Sequence, residues 1–162
     1  MTSWSADNLG HWKFHFKKPS LTSDGFFLSR VSLIDAVSPL KITAEGCEKP
    51  FWVERWKENY LQGKSSEVDL ILDHLSPFST KVLKAIQSLS FGITKSYREV
   101  AIIAGNERAS RAVGNACRNN PYPLLIPCHR VISSGGNLGG YALPITLKRN
   151  LISFEEKFFQ KL

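Results

Sequence analysis

In Leu124-Leu125-Ile126-Pro127-Cys128-His129-Arg130-Val131 an apolar run and a proline deliver a cysteine, with histidine beside it and arginine after that. Cysteine reacts as the thiolate, and a cationic neighbourhood lowers its pKa toward neutral pH. A nucleophile beside a base is what covalent catalysis requires. For an isolated Cys-His pair the plainer reading comes first: a structural cysteine at a strand end, since free cysteine is among the most buried residue types. The residues outward from this stretch change that balance.

Asn119-Asn120-Pro121 leads into Tyr122 to Ile126, which reads as a short extended segment entering the Cys turn. Beyond the turn, Ser133 to Gly140 is a flexible glycine-rich loop with neither a P-loop lysine nor Rossmann spacing. Leu147 to Phe159 reads as an amphipathic helix. Further upstream, Ser76 can cap a helix with Pro77 at its first position. Phe78, Val82, Ile86 and Leu89 make one apolar stripe, closed by Gly92. Ser96-Tyr97-Arg98-Glu99 has the form of a capping box and starts a second helix, through Val100 to Ala104 and Gly105. A third, capped by Asn106, runs to about Arg118. Two short helices joined by a glycine-containing turn form a helix-turn-helix pattern, which also occurs in proteins that never touch DNA. The later helix carries the small residues Ala109, Ser110, Ala112, Gly114 and Ala116 among Arg108, Arg111 and Arg118. Glycine inside a helix costs about 1 kcal/mol relative to alanine, so a close approach at Gly114 is expected. Helix-on-helix packing would supply one; so would a narrow groove whose phosphates meet the arginines.

Pro127-Cys128-His129-Arg130 resembles the active-site signature of the O6-alkylguanine-DNA alkyltransferases, the suicidal DNA-repair methyltransferases. Ala109 to Ala116 is similar to that family's DNA-binding helix and Ser96 to Ala101 to its tyrosine-bearing helix start. Asn119-Asn120-Pro121 and Gly139-Gly140-Tyr141-Ala142 fall where the family has its hinge and substrate loop. The resemblance runs from Ser76 to about Glu155. It implies an α+β protein in two parts. Residues 1–75 would be a small N-terminal α/β domain with a short antiparallel sheet. Residues 76–162 would be a helix-turn-helix, winged-helix-like C-terminal alkyltransferase domain. It also implies that the small-residue helix enters the minor groove, unlike the usual major-groove docking of the motif but like other proteins that wedge a side chain between bases.

The chemistry the resemblance implies is an in-line displacement at an alkyl carbon, with guanine O6 leaving. Cys128 is then the nucleophile, His129 relays its proton, and Glu155 completes the relay, with Glu156 one residue away as the competing register. Tyr97 stands at the base edge. Arg111 fills the space of the extruded nucleotide, offsetting an unstacking cost of a few kcal/mol. Asn120 holds the segment before the Cys turn, and Ala109, Ser110, Ala112 and Gly114 form the groove-facing surface. Pro127, Val131, Tyr141 and Ala142 shape the pocket, where backbone groups at Cys128, Val131 and Ala142 read the flipped base. Ala142 replaces a serine found in some members, and Pro144 departs from a glycine pair often seen there. No cofactor and no metal are expected, because the methyl comes from the lesion and ends on sulfur. A thioether is a poor leaving group, so one chain serves one lesion. The expected partner is duplex DNA containing O6-alkylguanine, with O4-methylthymine a further candidate, met by a monomer. Other classes fit less well. Alkyltransferase-like lesion-binding proteins typically carry tryptophan at the Cys position. Methylation-responsive regulators carry a Cys-rich module, and a cysteine hydrolase finds no support in any motif.

Composition agrees with a soluble globular chain. Its 162 residues are 43% hydrophobic, which excludes general disorder. The N-terminus lacks a signal-peptide pattern and no apolar run reaches membrane-spanning length. Cys47, Cys117 and Cys128 are an odd set without C-x-x-C spacing, which argues against a disulfide scaffold or structural zinc and for a reducing, cytoplasmic setting (nuclear in a eukaryote). Of the net charge of +7, the part up to Ser79 holds nine Lys/Arg against ten Asp/Glu, and the rest twelve against four. A basic C-terminal half suits a polyanion. In the N-terminal half Phe14-His15-Phe16 and Gly25 to Ile34, after a turn at Ser23-Asp24-Gly25, read as strands. Pro50 to Leu61 reads as a helix whose Trp52, Trp56 and Tyr60 face the core, with Gly63 as its C-terminal cap. Cys47 reads as a loop residue, and His11, His15 and His74 receive no role.

Overall fold

A computed structural model describes residues 7–17 and 27–159. Strand β1 (His11–Lys17) contains the expected Phe14-His15-Phe16, and β2 (Phe27–Asp35) pairs with it antiparallel. Trp12, Phe14 and Val31 are buried on one face, as the alternation requires. The turn expected at Ser23-Asp24-Gly25 lies outside the described residues. A third strand, β3 (Lys41–Glu45), joins the free edge of β1 and runs parallel to it, giving the order β2-β1-β3. The sheet is therefore mixed, not purely antiparallel. To reach that edge the β2–β3 link must cross the end of β1. Asp35 starts the crossing by accepting from the backbone N–H groups of Val37 and Ser38 at 3.1 and 2.8 Å. Gly10 then donates to the Ser38 carbonyl at 3.0 Å. Gly10 sits at φ +89°, and a Cβ there would lie 2.9 Å from Leu33 and 3.0 Å from the Asp35 carbonyl. Only glycine meets both conditions.

Helix α1 (Phe51–Leu61) begins just after Pro50, which stands at the N-cap and not in the first turn. It buries Val53, Trp56 and Tyr60, with Trp52 packed at the margin of the core. Tyr60 stacks on Trp56 at 5.2 Å and on Phe154 at 5.7 Å, and meets Phe91 edge-on at 5.2 Å. Each such aromatic pair adds about 0.5–1.5 kcal/mol beyond the area it buries. Phe154 lies on α5 (Ile145–Phe159), so the aromatic stripe fastens the N-terminal helix to the C-terminal one. Gly63, at φ +71°, follows the end of α1, and a Cβ there would fall 2.5 Å from the Phe158 ring.

Helix α2 (Pro77–Gln87) is capped by the Ser76 hydroxyl, which accepts from the Ser79 N–H at 3.2 Å. It ends before Leu89 and Gly92, which lie in the following loop; Gly92 does not cap it. Helix α3 (Tyr97–Ile103) opens on the capping box, with Glu99 N–H donating to Ser96 Oγ at 3.1 Å and Ser96 N–H to Glu99 Oε2 at 2.7 Å. Helix α4 (Ser110–Arg118) starts later than expected. The Asn106 carboxamide oxygen accepts from Arg108 N–H at 3.2 Å, so it closes a turn ahead of the helix instead of capping it. Strands β4 (Lys95–Ser96) and β5 (Val131–Ile132) pair parallel and tie the start of α3 to the Cys turn. Tyr122 to Ile126 is a tight turn and not an extended segment: Ile126 N–H donates to the Tyr122 carbonyl at 2.8 Å and Leu124 takes φ +76°. A left-handed leucine is held only where its surroundings over-determine it. Among the described residues no helix is long and apolar enough to cross a membrane.

Candidate active site

Cys128 opens a single 3-10 turn, Cys128–Arg130, and is buried. Asn120 sets the turn before it: its amide donates to the Ile126 carbonyl at 2.9 Å while its oxygen accepts from Tyr122 N–H at 2.9 Å. Both hydrogen-bonding ends of one side chain are spent on the segment delivering Pro127 and Cys128. That explains how an apolar run can bend back so sharply, and Leu124 absorbs the strain.

Behind the turn lies Glu155, 1% exposed. Its carboxylate accepts from His129 Nε2 at 2.7 Å, Arg130 Nε at 2.7 Å, the Tyr60 hydroxyl at 2.8 Å and Gly92 N–H at 3.1 Å. Glu156 is exposed on the opposite face of α5, so the geometry selects Glu155 over it. Burial alone would raise the Glu155 carboxyl, but the charges and hydrogen bonds of His129 and Arg130 together outweigh it and hold it down to about 2. Burial pulls the His129 pKa down, against Glu155, which pulls it up. A neutral His129 facing an acceptor-only carboxylate must carry its proton on Nε2. Its Nδ1 is then a lone pair, and that atom is buried with no hydrogen-bond partner.

The expected lowering of the Cys128 pKa by adjacent cations does not occur. Burial raises it, and Asn120, Tyr141 and Lys148 offset only part of the rise. The neighbouring cation is already spent, because Arg130 is neutralised by Glu155. The resting residue is a thiol that needs a base. Lys148, on the buried face of α5, donates to the carbonyls of Val131 and Leu138, both at 2.6 Å, and lies 5.2 Å from the centre of the Tyr141 ring. The Tyr141 hydroxyl is enclosed without a well-formed hydrogen bond, close enough to Cys128 that the thiol helps burial push its pKa up.

The thiol reaches a cavity of about 510 Å3 lined by Tyr97, Ser110, Arg111, Gly114, Tyr141 and Ala142, among others. Tyr97 donates to the Gly140 carbonyl at 3.1 Å, which closes the glycine loop over one side. Arg111 is exposed at the cavity mouth. The close approach expected at Gly114 is not made by the chain itself, since the nearest atom to a Cβ there is Tyr97 Cε1 at 3.9 Å. Ala109, at the N-cap of α4, and Ala112, within it, are partly buried and do not line the cavity. Asn120 stands behind it. Pro127 lines a separate cavity with Tyr60 and Arg130, and Val131 spends its carbonyl on Lys148. Among the described residues no group of three His, Cys, Asp or Glu side chains is placed to hold a metal.

Three contributors, Tyr60, Gly92 and Lys148, were not expected from the sequence, and Arg130, expected to act on Cys128, pairs with Glu155 instead. Lys148 and Glu155 lie seven residues apart on the apolar face of one helix, beside Leu147, Leu151 and Phe154. Two charges on a buried stripe were a legible signal. Tyr60 could be read only as core, because nothing local marks which aromatic hydroxyl reaches a distant carboxylate.

A family model described as the DNA-binding domain of 6-O-methylguanine DNA methyltransferase matches residues 77–157. A methylated-DNA–protein-cysteine methyltransferase of Methanosarcina barkeri is 38% identical over 80% of this chain and 84% of its own length. A probable methylated-DNA–protein-cysteine methyltransferase of Acanthamoeba polyphaga mimivirus is 37% identical over 78% of this chain and 80% of its own. Among solved structures, Mycobacterium tuberculosis OGT in complex with DNA superposes with a TM-score of 0.67 at 30% identity, covering 91% of this chain and 93% of that one.

Proposed function

Since the chain belongs to the methylated-DNA–protein-cysteine methyltransferase family, whose work is DNA repair by alkyl transfer, we propose that Cys128 takes the alkyl group of O6-alkylguanine with the residues gathered around it. One observation carries the assignment. A buried His129, its Nε2–H fixed by Glu155, keeps an unpartnered Nδ1 lone pair one residue along the turn from a thiol that burial holds protonated. His129 draws off the thiol proton as sulfur attacks the alkyl carbon. The carbon–O6 bond breaks, and the guanine takes up a proton, assisted by Tyr97 at the cavity wall. Glu155 stabilises the imidazolium formed in passing, an orienting role familiar from other buried nucleophile–base pairs. Lys148 and Tyr141 lie where negative charge develops on sulfur.

On the DNA side, Ser110, Arg111 and Gly114 on the cavity wall support α4 as the groove-entering helix, with Ala109 and Ala112 keeping it slim. Arg111 stands in the stack for the extruded nucleotide. Asn120 positions the Cys turn, and Ala142 offers a backbone group to the base. Pro127 and Val131 act from behind the thiol. We propose that residues 76–162 form the winged-helix-like unit that meets DNA and that residues 1–75 brace it, chiefly through Tyr60. One chain contains the whole assembly, which supports action as a monomer, and its free cysteines suit the cytoplasm or nucleus. A purely lesion-binding role is not favoured, because a thiol and its base are both present. With lesion-bearing duplex in excess, repaired O6-methylguanine should plateau at one per chain. A plateau well above one would show that the acceptor is regenerated.

A further inference from the structure

Space continues beyond Cys128. A second cavity, of about 480 Å3, opens beside the same thiol and shares Cys117, Arg118, Cys128, Tyr141 and Ala142 with the first. Its far wall comes from the N-terminal sheet, where Arg30 and Ser32 of β2 line it. Val31 N–H donates to the Pro121 carbonyl at 2.8 Å, which moors that strand to the segment before the Cys turn. The lining contains two formal charges, Arg30 and Arg118, both cations and both exposed, and no Asp or Glu.

Displacement by sulfur is in line with the breaking carbon–O6 bond, so any substituent on the reacting carbon leaves that axis at a wide angle. With guanine in the first cavity, the substituent has the second to enter. We propose that Arg30, with Arg118, makes this chain select O6 adducts whose alkyl group ends in a carboxylate. The inference rests on the alkyl-transfer reading above and adds a substrate class to it. The chemistry is unchanged. The sulfur–carbon bond forms as the carbon–O6 bond breaks, the thiol proton leaves through His129, guanine gains one, and the carboxylate remains a spectator bound by charge. An exposed pair of this kind shifts a rate by roughly two- to fivefold.

Free bases isolate this effect from DNA binding. Single-turnover rates, read as Cys128 alkylation by intact mass, are compared for O6-benzylguanine, O6-(4-carboxybenzyl)guanine and O6-(4-aminomethylbenzyl)guanine. The unmodified chain should react fastest with the carboxylate and slowest with the amine. Arg30→Ala should erase most of that ranking while leaving the benzyl rate unchanged, Arg30→Glu should reverse it, and Arg30→Lys should preserve it. Equal rates for the three bases, or a ranking that survives Arg30→Glu, would overturn the selection while leaving alkyl transfer intact. A chain that alkylates Cys128 with none of the bases, nor with O6-methylguanine duplex, would remove the underlying reading and the selection with it.

Discussion

Glu155 shows how much one side chain decides. It gathers a histidine, an arginine, a tyrosine and a backbone N–H that come from three parts of the chain. Replacing it by glutamine removes the charge that compensates a buried Arg130. Breaking a buried pair in this way costs about 3–5 kcal/mol, to be read as a drop in the denaturation midpoint. The folded-state pKa is depressed, so the contribution of Glu155 is fully present above its ordinary value of 4.5 and is lost as pH falls toward about 2. A carboxyl held down that far contributes about 3 kcal/mol. Glu155→Gln should therefore flatten stability between those limits and raise the pH midpoint for alkylation of the Cys128 thiol. An acid profile identical to that of the unmodified chain would show that the network is not what holds the turn.

Among the elements, α1 and α5 are joined at Gly63, whose left-handed backbone and 2.5 Å clearance to Phe158 leave no room for a methyl group. Gly63→Ala should cost roughly 2–4 kcal/mol, combining backbone strain with overpacking, and a thermal melt unchanged within a degree would contradict that. Helix α4 carries a different test. Arg111→Ala should slow repair in duplex DNA roughly ten- to hundredfold, since unstacking costs a few kcal/mol. It should scarcely affect reaction with free O6-benzylguanine, where nothing is extruded. Equal slowing on both would make Arg111 part of the pocket or the fold. These elements were legible to different degrees. The capping box at Ser96, the Pro77 helix start and the α5 stripe follow from local side-chain chemistry, and the structure has all three. Strand β3 was not legible, because its five residues gain their partner only through a crossing that depends on Gly10. The 122–126 turn misled for a similar reason: an apolar run reads as extended until the distant ends of the Asn120 side chain are seen to bend it.

At the scale of the whole molecule, the N-terminal half looked uninformative because its composition is neutral and its motifs are few. Among its described residues, Tyr60 reaches Glu155 and β2 runs along the second cavity. Neither contact has a sequence signature, since each depends on chain segments far apart in number. The basic C-terminal half could be read directly, because charge adds up along a chain whatever its fold. In the proposed reaction both halves serve one event: a buried thiol, its proton taken by His129, accepts the alkyl group and keeps it. Intact-mass analysis after incubation with O6-methylguanine duplex, followed by peptide mapping, tests this directly. The chain should gain a single methyl group, mapped to Cys128 and absent in Cys128→Ala, with Cys47 and Cys117 unmodified. An unchanged mass while the lesion disappears, or a methyl group on either other cysteine, would contradict it.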